Sequence, residues 1–163
     1  MVNKKSHSIP LIVALLLLLL ITGCAGGFAK NQTTAVSSEI VSATMNYVEG
    51  SRLGPPYNVT VRVPSDWVGD FELRNIGNKL YFDYIGGDGT SQIFFIEALS
   101  ADQYWRQIGG YPGSYANIVN KGNTYFVYYL PIDAYYSGLS EEDFVTFSEA
   151  VPQIVESFMV EAQ

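Results

Sequence analysis

The sequence predicts an α/β domain of the α+β kind, a sheet with covering layers above and below it. Three observations carry this. Residues 57–63 alternate strictly between apolar and polar side chains. Residues 93–96 and 125–130 are apolar on both faces, the mark of strands covered on both sides. Two further segments, 100–108 and 140–158, place apolar residues at helical spacing.

The chain opens on an export segment. Lys4 and Lys5 form a short positive start, and residues 11–21 are an uninterrupted apolar run. A spanning helix needs about 20 apolar residues, so the run is too short to cross a bilayer and fits a signal peptide. Ile21-Thr22-Gly23-Cys24 follows it. This tetrad resembles the bacterial lipobox: an aliphatic residue, a small one, Gly or Ala, then Cys. The resemblance implies a diacylglycerol thioether on Cys24, acyl chains such as palmitate, and cleavage that makes Cys24 the mature N-terminus. Cys24 is the chain's only cysteine, so it has no intramolecular disulfide partner. Two acyl chains suffice for stable anchoring where one is marginal. The expected division is 1–23 signal peptide, 24–38 flexible tether and 39–163 α/β domain. The tether reads CAGGFAKNQTTAVSS, small, polar and glycine-containing.

The elements of the domain follow in order. In 40–47, Val41, Ala43, Met45 and Tyr47 alternate, which favours a strand over a helix. In 57–63, Tyr57, Val59, Val61 and Val63 share one face, and Pro64 stops the strand before Trp67. Residues 71–76 and 80–85 flank Gly77-Asn78-Lys79, a hairpin turn. Gly86 to Thr90, GGDGT, is a second turn. Strand 93–96 follows. Ser100 and Gln103 then form a capping box, with Ala101, Tyr104, Trp105 and Ile108 on one helical face and Gly109-Gly110 as the stop. The spacing favours Tyr104 and Trp105 as core residues. After strand 125–130, a helix begins at Ser140 with Glu141, Glu142 and Asp143 in its first turn, where acids suit the helix dipole. Phe144, Phe147, Val151, Ile154 and Phe158 form its stripe, and Pro152 predicts a bend near Ala150.

The run YNVTVRVPSDW, Tyr57 to Trp67, and the downstream IVESF, Ile154 to Phe158, resemble the PsbP-like family. Its domains open on an alternating strand, then Pro and a nearby Trp, and close on a C-terminal helix with a similar Ser-Phe. The resemblance implies a central antiparallel sheet between helices over residues 40–160. It also implies an accessory, non-catalytic style of function.

Charge and composition exclude several function classes. Lys and Arg number 9 and Asp and Glu 16, a net of −7. Residues 1–23 hold two of the basic groups and no acids, so the mature chain carries −9. That sign repels nucleic-acid phosphates and anionic headgroups alike. No nucleic-acid partner is expected, and attachment to the membrane is expected through lipidated Cys24. The one histidine, His7, lies in the export segment. The mature chain therefore lacks the groups for Ser-His-Asp or Cys-His catalysis and for His- or Cys-ligated zinc. No enzyme activity, cofactor or metal is expected. Asp83 and Asp88 bracket the glycine loop, where oxygen ligands could hold calcium, but they read more simply as exposed turn acids.

What remains is binding. Tyr and Trp supply rigid contact area for protein partners. Tyr111, Tyr135 and Tyr136 sit on expected loops and are the candidate contact residues for an envelope protein partner. Tyr135 and Tyr136 are adjacent, so in an extended segment one is expected to be buried and the other exposed. Two other readings compete. One is a small-ligand or glycan carrier with a pocket between sheet and helix. The other is a carboxylate hydrolase, which needs two acids about 5–9.5 Å apart in one cleft.

Overall fold

The computed structural model describes residues 31–107, 110 and 114–163. The export segment, Cys24, the tether as far as residue 30, Ile108, Gly109 and Tyr111 lie outside the described residues. The largest sheet has six strands in the order β1-β6-β7-β8-β10-β9. These are β1 (Gln32–Ala35), β6 (Phe71–Ile76), β7 (Lys79–Tyr84), β8 (Ser91–Ser100), β9 (Ser114–Lys121) and β10 (Thr124–Leu130). A three-stranded sheet, order β11-β5-β2, joins β2 (Ile40–Met45), β5 (Tyr57–Arg62) and β11 (Met159–Ala162). A two-stranded ribbon pairs β3 (Val48–Glu49) with β4 (Arg52–Leu53). Among the described residues every strand pairing is antiparallel. The helices are α1 (Ala101–Gln107), α2 (Ala134–Ser137) and α3 (Glu141–Glu156).

The core lies between the inner face of the large sheet and a second layer made of the small sheet and α3. Alternation in β5 buries Tyr57, Val59 and Val61 and leaves Asn58 and Arg62 out, as its sequence period requires. β2 does the same with Val41 and Met45. On the large sheet, Leu73, Phe82, Phe94 and Ile96 face inward. The turn between β6 and β7 is Gly77-Asn78, with Gly77 at φ +64°, a conformation that costs glycine nothing. Lys79, expected in the turn, is the first residue of β7.

The two-sided strands are interior, as their composition predicts. β8 is buried at nine of its ten positions, because the core covers its inner face while Lys79, Tyr81 and Tyr129 cover Phe95 and Glu97 on the outer one and α1 packs near its end. The capping box forms as read: Ser100 N–H donates to Gln103 Oε1 at 2.9 Å, and Gln103 N–H to Ser100 Oγ at 3.2 Å. Ser140 caps α3 by accepting from Asp143 N–H at 3.2 Å. Phe144, Val151 and Ile154 of the stripe are buried.

Several expectations change. Residues 32–36, read as tether, contain a strand: β1 pairs with β6 from Gln32↔Asn75 to Ala35↔Glu72, and Val36 is buried. A four-residue edge strand needs only backbone hydrogen bonds from its partner, so its composition did not announce it. α3 runs through Pro152 and ends at Glu156, before Phe158, the last residue of the expected stripe. Ser157 caps it and accepts from Arg62 N–H at 2.7 Å, which ties the helix end to β5. Phe158 leaves the helix but keeps its place in the core, its ring 5.4 Å from Phe126. The chain then turns into β11, which residue pattern did not announce. Neither Tyr104 nor Trp105 is core: Trp105 is 64% exposed and Tyr104 is half-buried, stacked on Tyr125 at 4.3 Å, because α1 lies on the outer face of the large sheet and buries none of its residues.

Candidate functional site

Tyr135 and Tyr136 are both exposed, at 87% and 64%. The expected split between inside and outside fails because the segment is a helical turn, α2, and not extended chain. Helical neighbours lie about 100° apart around the axis, so two adjacent rings can face solvent together. The turn is held at both ends. Asp133 Oδ1 accepts from Tyr135 N–H at 3.0 Å and from Tyr136 N–H at 3.4 Å. Gly138, at φ +82°, closes the other end, and its carbonyl accepts from Ser91 Oγ at 3.4 Å. The rings meet edge to face with centroids 5.5 Å apart, and Ile132 beside them is also exposed. The result is a rigid apolar knob with two phenol tips. Tyr111, the third expected contact residue, lies outside the described residues.

The outer face of the large sheet carries a polar and aromatic array that sequence reading missed. Asp83, expected on an exposed turn, is inside β7 and fully buried. Its Oδ2 accepts from Arg74 Nε at 2.7 Å, while Oδ1 has no hydrogen-bond partner among the described residues. The bond from Asp83 raises the Arg74 pKa still further above its ordinary value. Arg74 also lies 4.4 Å above the Tyr81 ring. Glu97, also buried, sits 3.9 Å from Lys79 Nζ and accepts from Asn78 Nδ2 at 3.1 Å. Lys79 in turn covers the Phe95 ring at 4.6 Å, and Phe95 stacks on Tyr129 at 4.9 Å. Each buried carboxylate thus has its own cation. The hairpin register was the available signal: a Gly-Asn turn sets Glu72 opposite Asp83 and Arg74 on the diagonal. Asp88 is exposed. Among the described residues no group of three or more His, Cys, Asp or Glu side chains could hold a metal ion.

Tyr115, on β9, belongs to this face. Its phenol is pushed up to about 12, first by burial and then by Tyr104 and Glu97. A folded pKa above the unfolded value of about 10 contributes stability that is whole below pH 10 and lost as pH rises toward 12. Phenolate absorbance should therefore show a tyrosine that ionises late. Tyr115→Phe should remove that step and flatten the loss of stability between pH 10 and 12. An unchanged late step in the variant would assign it to another tyrosine.

A groove of about 440 Å³ opens between the two sheets. Thr34, Leu73, Asn75 and Leu80, on one face of the large sheet, line it together with Ser42 and Thr44 of the small sheet. No helix contributes to it, so it is not the sheet–helix pocket that a carrier was expected to have. It lies at the end of the sheet where β1 begins, since Gln32, Asn75 and Gly77 line it too. The Tyr135–Tyr136 knob lies at the other end, beside Ser91. Ladder pairing aligns Gln32 with Asn75, Leu80 and Ile96, and Ser91 pairs with Tyr84, four residues along β7 from Leu80, about 13 Å away along the strand. Compared with protein-family models, curated proteins and solved structures, the chain matches none.

Proposed function

We propose that this chain is a bacterial lipoprotein, anchored through acylated Cys24 on the extracytoplasmic side of a membrane. Its domain, of PsbP-like form, serves a non-catalytic, accessory role by docking an envelope protein. The observation that carries the reading is the placement of the exposed, doubly capped Tyr135–Tyr136 knob at the sheet end opposite the start of β1. Only seven residues separate Cys24 from Gln32. The tether therefore delivers the domain with its β1 end toward the bilayer and the knob outward, toward a protein. Rigid aromatics cost little conformational entropy on docking, which suits them as contact residues. The acidic charge of the mature chain works against adhesion of the knob to anionic lipid.

Two measurements test this. Cys24→Ser should move the protein from the membrane to the soluble fraction; retention there would point to an uncleaved anchor. A photoreactive residue at 135 or 136 should crosslink one and the same envelope protein in cells, and Tyr135→Ala with Tyr136→Ala should abolish that capture. The double variant should lose under about 0.5 kcal/mol of stability, as surface changes do. Crosslinking to lipid alone, or capture unchanged in the variant, would overturn the docking role.

A further inference from the structure

We propose that the groove between the two sheets is a strand-addition site, taking an uncharged, extended segment of a partner polypeptide onto the edge of β2 that no described strand pairs. β2 is a terminal strand of its sheet. The Val63 N–H to Glu39 carbonyl bond, 2.8 Å, fixes the phase of the ladder: residues 39, 41 and 43 exchange bonds with β5. Ile40, Ser42 and Thr44 then turn their backbone groups away from β5, into the groove. Asn75 Nδ2 donates to the Thr44 carbonyl at 2.8 Å, and Ser38 Oγ to the Ile40 carbonyl at 2.7 Å. Those two side chains stand where the N–H groups of a neighbouring strand would stand. Between them, the ladder phase turns the N–H and C=O of Ser42 toward the groove that Ser42 lines, and neither bonds a described residue there.

The groove also states which segment it fits. A strand added here continues the small sheet, so alternate side chains face Leu73 and Leu80 and the others face solvent beside Ser42 and Thr44. Inward positions want apolar residues and outward ones polar. Among the described residues no charged side chain lines the groove, although the mature chain carries −9. A charged inward residue would be desolvated without a counter-ion. A glycan is the weaker fit, because among the described residues no aromatic ring lines the groove for a sugar to stack on. Backbone pairing supplies affinity and the alternate side chains supply selection, the logic of β-augmentation. The site is independent of the tyrosine knob, which lies at the other end of the sheet.

The test uses the full chain and a tagged probe, the heptapeptide Thr-Val-Thr-Val-Thr-Val-Thr blocked at both ends. Binding should be saturable by fluorescence anisotropy and should slow hydrogen exchange at the Ser42 and Thr44 amides. Ser42→Pro removes an N–H that β5 does not use, so the fold should persist while binding falls about tenfold, the worth of one or two backbone bonds. Thr34→Glu, a charge on the exposed wall, is the second variant and should weaken binding without touching β2. Replacing the probe valines by glutamate should abolish binding. The proposal is overturned if the probe does not bind, or binds equally well to both variants. It is equally overturned if the Ser42 amide is already protected without probe. Protection that grows with protein concentration would then name a second copy as the occupant, and concentration-independent protection the chain's own tether.

Discussion

Replacing Trp67 with alanine is expected to cost about 3–5 kcal/mol, the range for removing a large aromatic from a packed core. Trp67 is 1% exposed. It sits in the 3-10 turn Ser65–Trp67, just after Pro64 ends β5, and points back into the space between the sheets. Its ring stacks on Phe71 at 3.9 Å with an interplanar angle of 2°. Phe147 of α3 meets it edge-on at 6.1 Å and meets Phe71 at 5.1 Å. One side chain thereby joins the β5 exit, the first residue of β6 and the helix. Truncation leaves a cavity that no neighbour can fill without moving strand or helix. Urea unfolding should show a lowered midpoint at unchanged slope. Trp67→Phe should recover much of the loss, since it keeps the stack and shrinks the void. A midpoint shift under 1 kcal/mol would show that the layers close without Trp67.

Arg74→Met is expected to cost about 3 kcal/mol, near the lower end for breaking a buried ion pair because the arginine itself is partly exposed. The Asp83 side chain is 0% exposed and that of Arg74 32%. Removing the arginine leaves a carboxylate with no route to water and no hydrogen-bond donor for Oδ2, while Oδ1 already lacks one. The penalty is the cost of stranding that charge, not the worth of the pair. Arg74→Met combined with Asp83→Leu should therefore be more stable than Arg74→Met alone. A double-mutant cycle measured by denaturant unfolding checks this; additive single effects would mean the two groups are not coupled.

Much of the fold was legible because burial imposes a period. β5 alternates, so Tyr57, Val59 and Val61 declared their face. The Gly77-Asn78 turn declared the β6–β7 register, and Ser100 with Gln103 declared the start of α1. β1, β9, β11 and α2 were not legible. Their burial is slight or uneven, and their strand or turn character comes from the partner they pair with or the cap that holds them. The same reason hid Asp83. A carboxylate two residues from Tyr81 reads as a loop acid until Arg74 is brought over it. Tyr135 and Tyr136 were legible as candidates from composition, but their joint exposure depends on the Asp133 cap and the Gly138 turn.

The sequence by itself determined the class of the domain and the expected address. Apolar period and the Lys–leucine–Cys24 order are local properties that need no partner to be read. It also set the acidic charge, and with it the expectation of no nucleic-acid partner. Only the tertiary structure decided the rest. It put the tyrosine knob and the β1 end at opposite poles of one sheet, and left one edge of β2 without a partner strand among the described residues, beside a groove. It paired each buried carboxylate with a cation from an adjacent strand. Those features are distances between residues far apart in the chain. They arise when strands choose neighbours, and a one-dimensional pattern records which face a side chain takes but not what waits there.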